Sequence, residues 1–101
     1  AVLRGTLYCV YRGTDNQLWW TLFKPSLSQW GTSQAFGNGT TASAAPSITA
    51  FNGDLYCTYK GTGSEHLWWT MSDWTSKTWG SSRQFNFDIR SQDAPAVLTV
   101  A

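Results

Sequence analysis

The stretch Leu7-Tyr8-Cys9-Val10-Tyr11-Arg12-Gly13-Thr14 returns 48 residues later as Leu55-Tyr56-Cys57-Thr58-Tyr59-Lys60-Gly61-Thr62, and this echo decides how the chain is organised. Leu18-Trp19-Trp20-Thr21 then matches Leu67-Trp68-Trp69-Thr70 at an offset of 49, so the turn of the second copy holds one extra residue. The same offset continues through Trp30 and Trp79, Gly31 and Gly80, Phe36 and Phe85, and Ala45-Pro46 and Ala94-Pro95. The 101 residues are a tandem duplication, too short to hold a catalytic domain beside a binding domain.

Within each copy the apolar residues alternate or form short β-branched and aromatic runs broken by Gly, Asn, Asp and Ser, which is strand and turn chemistry. From Pro46 the pattern predicts a strand over 47–51, a tight hairpin at Asn52-Gly53 and a second strand over 55–60. A turn over 61–65 leads to a third strand over 66–71, and a looser loop with Asp73 leads to a fourth over 78–85. A lone sheet of four short strands buries neither face and must stack on copies of itself, which is the logic of a propeller blade.

The expected fold is therefore all-β, with two four-stranded antiparallel β-propeller blades per chain and a ring completed by oligomerisation. Residues 1–45 form the first blade, whose innermost strand is truncated to Ala1-Val2-Leu3, and residues 46–93 form the second. Residues 94–101 align with 45–52 and supply an overhanging strand that completes the first blade of a neighbouring chain. Such a head-to-tail contact closes when the rotation permits, which favours a six-bladed trimer over a four-bladed dimer or an eight-bladed tetramer. The other reading is a fragment of a longer multi-blade chain.

Seven Lys and Arg against six Asp and Glu give a net charge of +1, and no basic track is present, which argues against nucleic acid as a partner. No apolar stretch approaches the ~18 residues of a membrane span, and no basic segment followed by an apolar run opens the chain. The expectation is a soluble protein without membrane insertion, its location open between secreted and cytoplasmic. Aromatic residues make up 16% with seven Trp, while charged residues make up 13%, about half the usual ~25%.

The string Tyr11-Arg12-Gly13-Thr14-Asp15-Asn16-Gln17-Leu18-Trp19, followed by a Trp-Gly segment and a Pro-led strand, resembles the blades of bacterial and fungal β-propeller lectins, and the likeness spans nearly the whole chain twice. Those lectins bind fucose, other monosaccharides or O-methylated glycans between adjacent blades, so the resemblance implies several sugar sites per ring. The Trp19-Trp20 and Trp68-Trp69 pairs and the Leu-Tyr-Cys strand depart from the pattern and leave the sugar open.

The residues make their own case for a glycan partner. A sugar ring offers apolar C–H faces and a fringe of hydroxyls, so its site wants an aromatic platform and a few fixed donors and acceptors. Side chains alternate along the third strand, so Trp19 and Thr21 point one way and Leu18 and Trp20 the other, with Trp68 and Thr70 opposite Leu67 and Trp69. One Trp per blade is a candidate platform at a rim, and the competing role for all four is core between blades. Candidate polar contacts are Arg12 and Asp15 in the first copy and Lys60, Glu65 and His66 in the second, with Asn16 beside them; the commoner job of Asp15 and Asn16 is to shape a turn. Arg83, Gln34 and Gln84 are rival donors, and Trp74 could roof a pocket, with Trp30 and Trp79 as blade-packing residues first.

Glycoside hydrolysis needs paired carboxylates, and among the six acids only Asp15 and Glu65 hold comparable turn positions, so the chain is not expected to be an enzyme. His66 is the sole histidine and has no repeated Ser or Cys partner. No cofactor or metal is implied. The repeat places Cys9 and Cys57 on equivalent strands too far apart to bridge, which predicts two free, buried thiols. The alternative function is a structural or protein-binding propeller repeat without sugar affinity.

Overall fold

A computed structural model of the chain describes residues 1–37, 39–63, 65–73 and 78–99. Each copy of the repeat forms one antiparallel sheet, and no α-helix occurs among the described residues. Sheet 1 runs from β1 (Val2–Leu3) through β2 (Thr6–Arg12) to β3 (Leu18–Lys24), then to β4 (Gln29–Trp30) and β5 (Gln34–Ala35). Sheet 2 repeats the order with β6 (Ser47–Phe51), β7 (Asp54–Lys60), β8 (Leu67–Asp73), β9 (Thr78–Trp79) and β10 (Arg83–Gln84).

The hairpins between the first two strands of each sheet use positive φ at both turn residues, 51° and 79° at Arg4 and Gly5, and 51° and 81° at Asn52 and Gly53. This backbone has the right-handed twist of the strands it joins, and Asn-Gly adopts it with least strain. The outermost strand, expected to be continuous over 78–85, is in two pieces in each copy. Trp30 pairs with Phe23 and Ala35 with Trp19, as Trp79 pairs with Ser72 and Gln84 with Trp68. Between the pieces, the buried Thr21 hydroxyl donates to the Gly31 carbonyl at 2.7 Å and the Thr70 hydroxyl to the Gly80 carbonyl at 2.8 Å. These bonds satisfy a carbonyl turned off the ladder and hold the bend.

The two sheets pack face to face. Leu3, Tyr8, Leu18 and Phe36 of sheet 1 join Leu55, Cys57, Tyr59 and Trp79 of sheet 2 in one buried core, with Val10, Trp20, Ile48 and Trp68 at its margin. Burying each large side chain in such a core contributes about 1.5–3 kcal/mol. At its edge Phe36 stacks on Trp79, ring centroids 4.2 Å apart and planes 8° from parallel.

The outward faces are apolar as well. On sheet 1 the exposed Leu7, Tyr11 and Trp30 accompany the half-buried Cys9 and Trp19. On sheet 2 the exposed Phe51 accompanies the half-buried Tyr56, Trp69 and Phe85. Both cysteines are free, and only Cys57 is fully buried. Cys9, expected to be buried, is half-buried because its face of sheet 1 looks outward.

Residues 94–99 lie against β6. The Val97 amide donates to Ser47 Oγ at 3.0 Å, and Thr99 Oγ1 donates to the Ala50 carbonyl at 2.6 Å. Val97, Leu98 and Thr99 of this segment line one side of a depression on the outer face of sheet 2. Among the described residues no helix is long and apolar enough to cross a membrane.

Candidate functional site

A cleft of about 360 Å³ opens between sheet 2 and the connection that leads to it from sheet 1. The connection from sheet 1 to sheet 2 forms one lip with Gly39, Thr40 and Thr41. Three hydrogen bonds hold this lip in place: the Ala42 amide donates to Asn16 O at 2.9 Å, the Ser43 amide to Lys60 O at 3.0 Å and the Ser43 hydroxyl to Gly61 O at 3.1 Å. Sheet 2 supplies Tyr59 from β7, Gly61 and Thr62 from the following turn, Trp68 from β8, and Ser81 and Ser82 from the bend between β9 and β10.

Trp68 lies against the backbone of Gly61, so closely that a Cβ there would stand 2.5 Å from Trp68 Nε1. Gly13 bears the same relation to Trp19, at 2.6 Å. The repeated Gly-Thr after the second strand therefore makes room for an indole. The Tyr59 hydroxyl donates to Ser82 Oγ. Burial pushes the Tyr59 phenol above its ordinary range, the Ser82 contact only partly offsetting it, so the group stays protonated and a donor at neutral pH. The described lining comprises two aromatic rings and a set of hydroxyls with no charged side chain, which suits a neutral, polyhydroxylated ligand.

Of the residues predicted from sequence, Trp68 is the one that lines this cleft. Trp20 packs at the margin of the core, Trp19 lies on the outer face of sheet 1, and Trp69 lies on the outer face of sheet 2 with the Arg83 guanidinium 5.7 Å from its ring centroid. Arg12 donates to Asn16 Oδ1 within its own turn, and Lys60 Nζ donates to the Gln92 carbonyl at 3.0 Å. Asp15 accepts from the Trp19 indole and the Gln17 amide, both at 3.1 Å, and these bonds hold its carboxyl below the usual range. It shapes the turn and orients Trp19. Glu65 is exposed with its carbonyl accepting from the Ser91 amide at 2.7 Å, and half-buried His66 bridges to Arg90 through the backbone. Trp74 falls outside the described residues. Among those described, no three His, Cys, Asp or Glu side chains gather as metal ligands.

Sequence reasoning passed over Thr40, Thr41, Tyr59, Ser81 and Ser82. Tyr59 read as an ordinary strand residue, and the others sit in connections whose packing depends on how the sheets stack.

A second depression, of about 450 Å³, lies on the outer face of sheet 2 between Phe51, Tyr56, Trp69 and Phe85 and the segment carrying Val97 and Leu98. Thr58 lies in its floor, only 8% exposed, and its hydroxyl has no hydrogen-bond partner. In comparisons with known proteins the chain matches no family model, no curated protein and no solved structure.

Proposed function

We propose that the chain is a carbohydrate-binding module of the β-propeller lectin kind, whose two sheets are blades of a ring completed by further copies, six-bladed as a trimer. The cleft beside Trp68 is its sugar site. The observation that carries the reading is the make-up of that cleft: Trp68 and Tyr59 beside the hydroxyls of Thr40, Thr41, Thr62, Ser81 and Ser82. Aromatic surface takes the C–H face of a pyranose, and neutral hydroxyls exchange hydrogen bonds with its fringe. Several such sites on one ring turn a weak single-site affinity into avidity for glycan-coated surfaces.

The ring is supported by the repeat. The core face of sheet 1 carries Leu3, Tyr8, Trp20 and Phe36, and their counterparts on the outer face of sheet 2 are Phe51, Tyr56, Trp69 and Phe85. The core face of sheet 2 carries Leu55, Cys57, Tyr59, Trp68 and Trp79, and their counterparts on the outer face of sheet 1 are Leu7, Cys9, Tyr11, Trp19 and Trp30. The two outer faces thus have the composition of the two faces already packed together inside the chain. A second copy stacked head to tail would repeat the internal junction, and Thr58 would meet a neighbour rather than an empty depression.

The test is a glycan array followed by titration of Trp fluorescence with the best sugar. Thr41→Ala with Ser81→Ala keeps the core intact and removes two hydroxyls from the cleft. Each lost bond weakens binding by about 1 kcal/mol, so the pair lowers affinity by roughly tenfold or more. Absence of any glycan ligand on the array, or unchanged affinity in the double variant, would refute the cleft as a sugar site and leave the protein-binding repeat as the reading.

A further inference from the structure

The connection that leads out of sheet 2 repeats the backbone of the one that leads out of sheet 1. The Phe36 amide donates to the Leu18 carbonyl and the Phe85 amide to the Leu67 carbonyl, both at 2.9 Å. The Ala42 amide donates to Asn16 O as the Ser91 amide donates to Glu65 O. The Leu67 amide donates in turn to the Ile89 carbonyl at 3.3 Å, so one residue of β8 clamps both ends of the loop that carries Phe87. The side chains differ between the copies. Phe87 stands where the first copy has Asn38, and Ile89 where it has Thr40.

Phe87 is 94% exposed and Ile89 41% exposed. Phe87 also has a φ of 66° and a ψ of 26°, a left-handed backbone that is strained for a bulky residue and persists only where the surroundings impose it. Its ring buries almost nothing within this chain and is nonetheless held outward on fixed backbone. Such an apolar tip gains its stabilisation from a surface outside the chain. In the first copy the equivalent loop lines the internal cleft with Thr40, beside Tyr59, Gly61, Thr62 and Trp68. The sheet 1 counterparts of those four are Tyr11, Gly13, Thr14 and Trp19, and a second copy stacked head to tail brings the loop carrying Phe87 beside them. Tyr11 is 37% exposed where Tyr59 is 3% exposed, so apolar surface lies open on both sides of that junction.

We infer that Phe87 and Ile89 are the anchor by which one copy docks on the next, seated on Tyr11 and Trp19, and that they plug the cleft at the junction between copies. This rests on the ring reading above and goes beyond it, because the two clefts of the repeat then do different work. The one inside each chain, where Thr40 takes the place of Ile89, stays open, and the one between copies is closed and carries assembly. Aromatic side chains that fill a pocket on the partner supply most of an interface's binding energy, and a tip already fixed by its backbone loses little freedom on docking. The left-handed strain at Phe87 is the local disadvantage that this contact offsets.

The experiment is hydroxyl-radical footprinting read by mass spectrometry, on the protein assembled at high concentration and on the same protein diluted until light scattering shows single chains. Phe87 should be labelled in the single chain and protected in the ring. Trp19 should be protected in the ring more than Trp68, each measured against its own single-chain labelling. Phe87→Asn with Ile89→Thr copies the first-copy residues. Each junction of that variant should weaken about thirtyfold, the effect of losing an aromatic anchor, so that three junctions together move dissociation to concentrations roughly a hundred times higher or more. Its single chain should melt no lower than wild type, because Asn accepts the left-handed backbone, and this separates a lost contact from a damaged fold. Phe87 labelled equally in ring and single chain, or a variant that assembles as tightly as wild type, overturns this inference and leaves the ring and its internal cleft standing. Wild-type protein that stays a single chain at every concentration overturns the ring and this inference together.

Discussion

Trp30→Ala tests the proposed ring directly. Trp30 is 48% exposed and touches its own sheet chiefly through Phe23, edge to face with centroids 5.3 Å apart. Its counterpart Trp79 is 5% exposed and stacked on Phe36. If Trp30 receives Phe85 of a neighbouring copy in the same way, about half of a ~200 Å² side chain is newly covered, worth about 2.5 kcal/mol at ~25 cal/mol/Å². The ring pair adds about 1 kcal/mol beyond the area, so each junction weakens by about 3.5 kcal/mol, or roughly 300-fold. Light scattering over a concentration series should show wild-type protein as a trimer and the variant, weakened at all three junctions of the ring, dissociating at concentrations roughly several thousand times higher. Circular dichroism should be unchanged, because the variant leaves the internal core alone. Trp79→Ala instead opens that core, costs ~3–5 kcal/mol of folding and lowers the melting point. Monomeric wild-type protein at high concentration, or identical dissociation curves for wild type and Trp30→Ala, would refute the stacking argument.

Three further outcomes follow from the geometry. Gly61→Ala places a methyl 2.5 Å from Trp68 Nε1, so the indole must shift, and sugar affinity at the internal cleft should fall about tenfold or more with the assembled mass retained; fluorescence titration beside light scattering reads both. The two thiols should separate by assembly state: in diluted, dissociated protein a maleimide labels half-buried Cys9 and spares Cys57, whereas in the ring neither reacts, as mass spectrometry of the labelled chain would show. Burial pushes the Cys57 thiol up to about 12 from its ordinary 9. Above pH 9 the unfolded chain therefore loses a proton that the folded chain keeps, and stability falls between pH 9 and 12 by up to ~1.4 kcal/mol per pH unit. The same urea midpoint at pH 8 and pH 11 for wild type and Cys57→Ala would contradict this.

How far the sequence alone reached can be judged from particular elements. The 48-to-49 residue offset made the duplication legible, and Asn52-Gly53 marked its hairpin because few dipeptides adopt two successive positive φ values so readily. The period-two pattern put Trp19 and Trp20 on opposite faces before any fold was known, since strand geometry alone demands it. It could not say which face is inner. Trp20 reached the core margin and Trp19 the outer surface only because sheet 2 packs on one side of sheet 1, a choice made by contacts with the other copy of the repeat.

The candidate site was less legible for the same reason. The sequence pointed to turn charges such as Arg12 and Lys60, which the fold engages locally with Asn16 and Gln92. The cleft instead draws Thr40 and Thr41 from one connection and Tyr59, Trp68, Ser81 and Ser82 from the other sheet, residues without a motif until packing brings them together. Repetition and alternation are local properties, written in residue order, and the sequence by itself determined two similar antiparallel sheets rich in aromatic surface. Which faces were buried, which were left open, and which hydroxyls met across a cleft were decided by tertiary packing, because those contacts depend on the mutual placement of sheets that no local pattern encodes.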